Sequence, residues 1–327
     1  MRYELRKLVF RRECIILLAV FVGYAVFFAV RIKPTNSMLE ESVSQYEQHM
    51  QEMPETVTKL KQRTDSAPTE YIRKDFEKAL ACYNVRYEYT PYDSWAVQLG
   101  FGIISMREAD IVLLLLLLAI LSPIFAREKE CGMYQLIYTA KGGKSKAFRS
   151  KLGAALLLTL IVTLVFCLTI AALTFSRRDI PLSCLSQPVQ AFPDLHFCPF
   201  ALSVGGLLFL HFLIRLCVCL LAVSVMFVFS AFVRGSFAVL GCSAGVMGTL
   251  IAMTEISPSA AHLLSKLGLT ALFDFTSYLK GYDTVNVFGV PVFKLTLAVL
   301  FTVLLIITLF SLSCCIFTRQ RRFKNAA

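Results

Sequence analysis

Six stretches of this chain are apolar for long enough to cross a bilayer, and they constrain the fold more than any other feature of the sequence. They are residues 14–31, 110–126, 152–175, 203–233, 236–254 and 293–317. A helix needs about 20 residues to cross a hydrocarbon core of roughly 30 Å. Open strands would leave backbone groups unpaired in hydrocarbon, so the runs are read as helices. The second run is short but holds an unbroken leucine stretch at 113–118, and the fourth is long enough to be two segments. The expected fold class is an all-α polytopic membrane protein with six transmembrane helices. A mean hydropathy of +0.65 and a charged fraction of 17% exclude an ordinary soluble enzyme and a disordered chain.

The net charge of +11 raises nucleic acid as a partner until the charges are located. Residues 1–13, the loop 127–151, Arg234 and the tail from Arg319 onward hold 17 basic and four acidic groups of the 33 and 22 in the chain. These segments share one side of a six-span arrangement and carry +13, which leaves −2 for the rest. Such asymmetry places the basic loops and both termini in the cytoplasm. Splitting the fourth run would put the basic tail outside, so six spans is the preferred reading. The charge reports topology, and no nucleic-acid partner is expected. The expected location is the plasma membrane, multi-pass. The first run ends without a small-x-small site and is read as an anchor, not a cleaved leader.

Residues 1–13 form a basic segment, either an amphipathic helix on the inner surface or an unstructured charged flank. Residues 32–109 are the one large polar region, with nine basic and twelve acidic groups, and are expected outside as a mainly helical insertion. Helices are expected over 40–63 and 69–84, divided by the breaker 65–68. In the second, Ile72, Phe76, Ala79, Leu80 and Tyr83 make one apolar stripe. The aromatic stretch 85–100 reads as an interfacial belt. Residues 176–202 are an outer loop. Residues 255–292 are an unusually apolar outer or re-entrant segment ending in a turn region at 281–291, and 318–327 are the tail. Most of the eleven cysteines lie inside spans, where they act as small hydrophobes. Cys184 and Cys198 share an outer loop and are a possible disulfide.

No catalytic constellation is visible. The four histidines have no metal-ligand spacing, and no nucleophile elbow occurs. The sequence Gly143-Lys144-Ser145 ends like a phosphate-binding loop, but Tyr138 stands where that pattern needs its first glycine. The chain itself is therefore expected to bind no cofactor.

The loop after the second run is the most informative stretch. Glu128 and Glu130 stand at the start of a short helix, Gly132 follows, Met133, Leu136 and Ile137 form an apolar ridge, and Thr139 leads into a glycine turn and a basic ramp ending at Lys151. An apolar ridge with no core of its own is a docking element. The order of Glu130, Gly132, Leu136, Thr139, Gly142 and Lys151 resembles the permease subunits of ABC-2 type transporters. The basic N-terminal segment, six spans, outer domain and apolar segment before the last span are similar as well. The resemblance implies that this loop is a coupling helix seated in a separate ATP-hydrolysing subunit, with Glu128, Glu130, Gly132, Met133, Leu136, Ile137 and Thr139 as coupling residues. It implies an ABC ATPase partner carrying ATP and Mg, a second permease copy or paralogue, and contact with membrane lipids. The implied cargo of such an exporter is an amphipathic peptide, drug, lipid or polysaccharide. The alternative is a membrane sensor with an extracellular ligand-binding hairpin.

His211 and Arg215 lie one turn apart inside the fourth run. An arginine at mid-membrane costs about 2.5–3.5 kcal/mol on insertion scales, so it faces protein or water. Two readings stay open: a contact on the translocation path, or an ion pair with a carboxylate such as Asp110 or Glu255.

Overall fold

The apolar runs fold as helices. The computed structural model describes residues 12–31, 36–83, 107–132, 143–178, 180–191, 195, 197–233, 235–256 and 278–319. The helices are α1 (Arg12–Arg31), α2 (Asn36–Asp65), α3 (Glu70–Tyr83), α4 (Arg107–Leu121), α5 (Pro123–Glu130), α6 (Gly143–Arg178), α7 (Val204–Phe232), α8 (Ser236–Ile256) and α9 (Lys294–Arg319). Among the described residues, five stretches of helix are long and apolar enough to cross a membrane: Asp110–Glu130, Gly143–Ser176, Val204–Phe232, Ser236–Met253 and Lys294–Arg319. The chain is an all-α polytopic membrane protein. α1 carries the first apolar run, residues 14–31.

Several boundaries differ from the sequence expectation. The basic ramp is helical: α6 begins at Gly143 and runs 36 residues, about 54 Å at 1.5 Å per residue, well beyond a hydrocarbon core. The second run continues through α5 to Glu130. Pro123 interrupts it by withholding the amide that would reach Ala119. Ser122 softens that break, because its amide still bonds Leu118 O at 2.8 Å and its hydroxyl donates to Ala119 O at 3.3 Å. The junction stays helical in its dihedrals, Ser122 at φ −51° and ψ −35°, and is not a loop.

α7 is the central helix, packed on α4, α6, α8 and α9. Leu207, Ile214, Val218, Leu221, Ala222, Met226 and Phe227 are all buried. Its start is clasped by the segment before it. Val204 N donates to Gln187 O at 2.8 Å, Val189 N to Leu202 O at 3.0 Å, and Ser203 Oγ accepts from Gly206 N at 3.2 Å. A Cβ on Gly205 would meet Leu185 O at 3.3 Å, so glycine permits this close approach. Against α9, Ser313 Oγ donates to Phe227 O at 3.0 Å. α1 lies on α4 and α6, with Phe21 and Phe166 rings 5.1 Å apart.

The faces turned away from the bundle are apolar. Leu160, Leu164 and Leu168 on α6 are 40%, 42% and 58% exposed, and Leu300, Leu304 and Ile307 on α9 more than half. In water such stripes would drive association. In a bilayer they cost nothing, because lipid tails are as apolar as leucine.

At the end of the bundle where α9 begins, α2 and α3 pair and rest on a two-stranded hairpin. Its strands are β1 (Thr284–Val287) and β2 (Val290–Phe293), antiparallel with Val287 opposite Val290. The two-residue turn holds Phe288 at φ 52° and Gly289 at φ 83°, the mirror-type conformation that matches strand twist. The hairpin occupies the expected turn region 281–291. It is locked to α3 by polar contacts: Asp75 Oδ1 accepts from Tyr282 OH at 2.9 Å and Thr284 Oγ1 at 2.6 Å, and Lys78 Nζ donates to Pro291 O at 2.6 Å. Burial, then the Asp75 carboxylate, push the Tyr282 phenol above its ordinary pKa.

Candidate functional site: a charged bracket beneath the helices

Three consecutive side chains at the end of α5 each reach a different helix. Glu128 pairs with Lys151 of α6, and Lys151 Nζ also donates to Ile124 O at 2.8 Å. Lys151 is 1% exposed and Glu128 8%, so this pair is withdrawn from solvent. Lys129 Nζ donates to the carbonyls of Ser230 and Ala231 at 2.6 and 2.9 Å, with Val233 O at 3.5 Å. Those carbonyls sit at the C-terminus of α7, where the last turn lacks intrahelical donors and carries partial negative charge. Glu130 Oε1 accepts from Ser236 N at 2.9 Å and Ser236 Oγ at 3.3 Å. It thereby caps the N-terminus of α8, the end that favours an anion.

One short helix thus fastens α6, α7 and α8 by matching each charge to what that helix end lacks. Lys144 of α6 repeats the device, with its Nζ 3.5 Å from Thr318 O near the end of α9. An aromatic cluster fills the space above. The Phe125 ring stands 5.1 Å from Phe227, 5.2 Å from Phe317 and 6.0 Å from Phe148, and the Lys151 ammonium lies 4.6 Å from its centroid. A buried ammonium over a ring face gains a further attraction.

α5 ends at Gly132. Cys131 N bonds Arg127 O at 2.9 Å, and Gly132 takes φ +70°, the left-handed conformation that closes a helix and that residues with a Cβ avoid. Met133, Leu136, Ile137 and Thr139 lie outside the described residues. Of the expected coupling residues, Glu128 and Glu130 therefore face the protein's own helices. The sequence reading did not single out Lys129 or the aromatic cluster. The alternation Glu-Lys-Glu at a span end, and phenylalanines at 125, 148, 227 and 317, were the available signals.

The second charged cluster is higher in the bundle. Arg215 Nε stands 2.7 Å from Asp110 Oδ1 of α4, with side-chain exposures of 5% and 32%. The separation is that of an ion pair. Arg215 also has its Nη1 3.8 Å from Cys167 Sγ and its guanidinium 5.4 Å from the Phe166 ring centroid. His211 is buried on the same face of α7. Of the two carboxylates that the sequence offered, Asp110 is the one in contact; the Glu255 side chain is outside the described set.

Cys184 and Cys198 are both buried and both free thiols. Cys184 lies in the 3-10 turn Leu182–Ser186 against the start of α7, and Cys198 Sγ points at Phe200 O at 3.9 Å. Among the described residues no group of three His, Cys, Asp or Glu could hold a metal ion. No known family model, curated protein or solved structure matches this chain.

Proposed function

We propose that this chain is the permease subunit of an ABC transporter, an exporter with six spans and both termini in the cytoplasm of the plasma membrane. It moves an amphipathic peptide, drug, lipid or polysaccharide with ATP hydrolysed by a separate subunit, and it works beside a second permease copy or paralogue. The observation that carries this reading is the bracket at the end of α5, where Glu128, Lys129 and Glu130 tie one short segment to α6, α7 and α8. A loop whose task is only to connect two spans has no need of three such ties. A loop that is pushed by a docked subunit needs them, because force at its tip must reach several helices together. The placement of 17 of the 33 basic groups on that side supports it. So does the apolar ridge of Met133, Leu136 and Ile137 that follows the bracket.

The test is purification of the tagged chain from its native membrane in mild detergent. An ATP-hydrolysing chain with a phosphate-binding loop is expected to co-purify in fixed stoichiometry. Gly132→Pro, which cannot adopt φ +70°, is expected to release it while the permease stays monodisperse. A stable complex whose partner hydrolyses no ATP would sink the proposal and favour a sensor.

A further inference from the structure

The first three turns of α6 carry four basic residues, Lys144, Lys146, Arg149 and Lys151, and the fold sorts them into two kinds. Lys151 is buried on Glu128, and Lys144 reaches Thr318 O on α9. Lys146 and Arg149, three positions apart and so on one face of the helix, are exposed. A helix start disfavours cations, because its free amides already carry partial positive charge. The carboxylates that α5 brings to this end are engaged elsewhere: Glu128 holds Lys151 and Glu130 caps α8. Residues 131–178 contain neither Asp nor Glu. Two exposed cations therefore stand where the chain supplies no anion.

The same face of α6 continues as an exposed apolar track of Leu156, Leu160 and Leu164. At 3.6 residues per turn, these three and the two cations fall within an arc of about 80°. We infer that Lys146 and Arg149 bind the phosphate of an anionic glycerophospholipid whose acyl chains lie along that track. The inference rests on the membrane-spanning fold and not on the transport reading.

Depth along the helix fits this ligand. The apolar run of α6 begins at Leu152. At 1.5 Å per residue, the Arg149 backbone lies about 4.5 Å beyond it and that of Lys146 about 9 Å. The headgroup layer is roughly 5–8 Å thick on each side, so Arg149 stands within it and Lys146 at its outer edge. A guanidinium can take two phosphate oxygens at once, and the ammonium adds a point charge beside it. A zwitterionic lipid carries the same phosphate, but its own cation competes with both side chains, so net charge decides which lipid is held. An acidic protein surface would also complement the two cations. It would leave the leucine track uncovered, whereas an acyl chain covers it.

The experiment uses the full chain, delipidated in a mild neutral detergent and titrated with dioleoylphosphatidylglycerol or dioleoylphosphatidylcholine, with bound lipid counted by native mass spectrometry. Wild type is expected to hold the anionic lipid more tightly, at about fivefold per cation and so roughly 25-fold for the two. The margin shrinks as salt rises. Lys146→Gln with Arg149→Gln removes it; both positions are exposed and glutamine is a good helix former, so the fold survives. Lys146→Arg with Arg149→Lys keeps it. Lys61→Gln with Arg63→Gln takes the same charge from exposed positions on α2 and leaves the margin unchanged. Glycerol 3-phosphate does not compete at the lipid's concentration, since it has no chain for the leucine track. Equal binding of the two lipids by wild type, a margin that survives the glutamine pair, one lost equally in the α2 pair, or full competition by glycerol 3-phosphate would each overturn the inference.

Discussion

Replacing Lys151 by methionine tests whether the buried charges hold the bracket or merely accompany it. The methionine chain keeps the aliphatic stem of lysine, so the packing against Phe125 is largely kept and the ammonium alone is lost. Two partners are then stranded: the Ile124 carbonyl and the Glu128 carboxylate, whose side chain is 10% exposed. Removing one member of a buried ion pair costs about 3–5 kcal/mol, because the remaining charge stays desolvated. Glu128→Gln costs less, about 1.5–3 kcal/mol, since an amide oxygen still accepts from the ammonium but without charge. Replacing both, as Lys151→Met with Glu128→Leu, removes the stranded carboxylate and leaves only the Ile124 carbonyl, and such apolar exchanges are often close to neutral. The double variant should therefore lie at least about 2 kcal/mol above the sum of the single losses. Thermal unfolding of the purified chain reads this out. At about 2 °C per kcal/mol for a large domain, Lys151→Met drops the midpoint by roughly 6–10 °C and the double variant restores most of it. A single loss within 2 °C, or strict additivity in the cycle, would refute the view that this pair is a desolvated, mutually dependent tie.

Three further outcomes follow from the same geometry. Lys129→Met removes the ammonium from the carbonyls of Ser230 and Ala231 and should cost about 1–2 kcal/mol locally, read as faster hydrogen exchange at the Val233 amide, which bonds Phe229 O. Arg215→Gln and Asp110→Asn should each destabilise by about 3 kcal/mol while the paired exchange Arg215→Met with Asp110→Leu recovers most of the loss; independent, additive losses would argue against the contact at 2.7 Å. Tyr282 has its phenol pKa raised, so its neutral form stabilises the hairpin fully below pH of about 10, and that contribution fades as pH rises beyond it. Melting wild type and Tyr282→Phe across pH 8–11 should show the extra alkaline loss in wild type alone.

The spanning helices were legible because their signal is local: a run of leucine and valine satisfies its own backbone wherever it is placed. The start of α6 was not, since Lys144, Lys146, Arg149 and Lys151 look like a solvated loop, yet they are good helix formers continuing an apolar helix. The hairpin was read only as a turn. Its strands are four residues each, β2 contains Pro291, and its turn is Phe288-Gly289, not the usual Asn-Gly. The bracket was legible only by half. Glu128 and Glu130 stood out as charges at a span end, but their partners lie 23 and 106 positions along the chain, and those of Lys129 lie 101 and more. No local pattern encodes pairings at that distance.

The two charged clusters acquire a joint meaning because α7 passes through both. Asp110 of α4 holds Arg215 in its middle, and Lys129 of α5 holds its last carbonyls, about 24 Å further along the helix. Two ties at separate levels keep α7 from tilting relative to the α4–α5 rod, so the pair moves as one body. The helical hydrogen bonding of the rod is broken by Pro123, and the direction in which Glu128, Lys129 and Glu130 leave it depends on the geometry at that residue. Pro123→Ala restores the amide that bonds Ala119 O, favours an unbroken helix and swings all three side chains off their partners without altering a charge. The Ser236 amide, held by Glu130, is then released, and its hydrogen exchange should quicken about as much as in Glu130→Ala. If exchange at Ser236 stayed at the wild-type rate in Pro123→Ala while it rose in Glu130→Ala, the geometry at Pro123 would not be what aims the bracket, and α5 would be positioned by its aromatic packing alone.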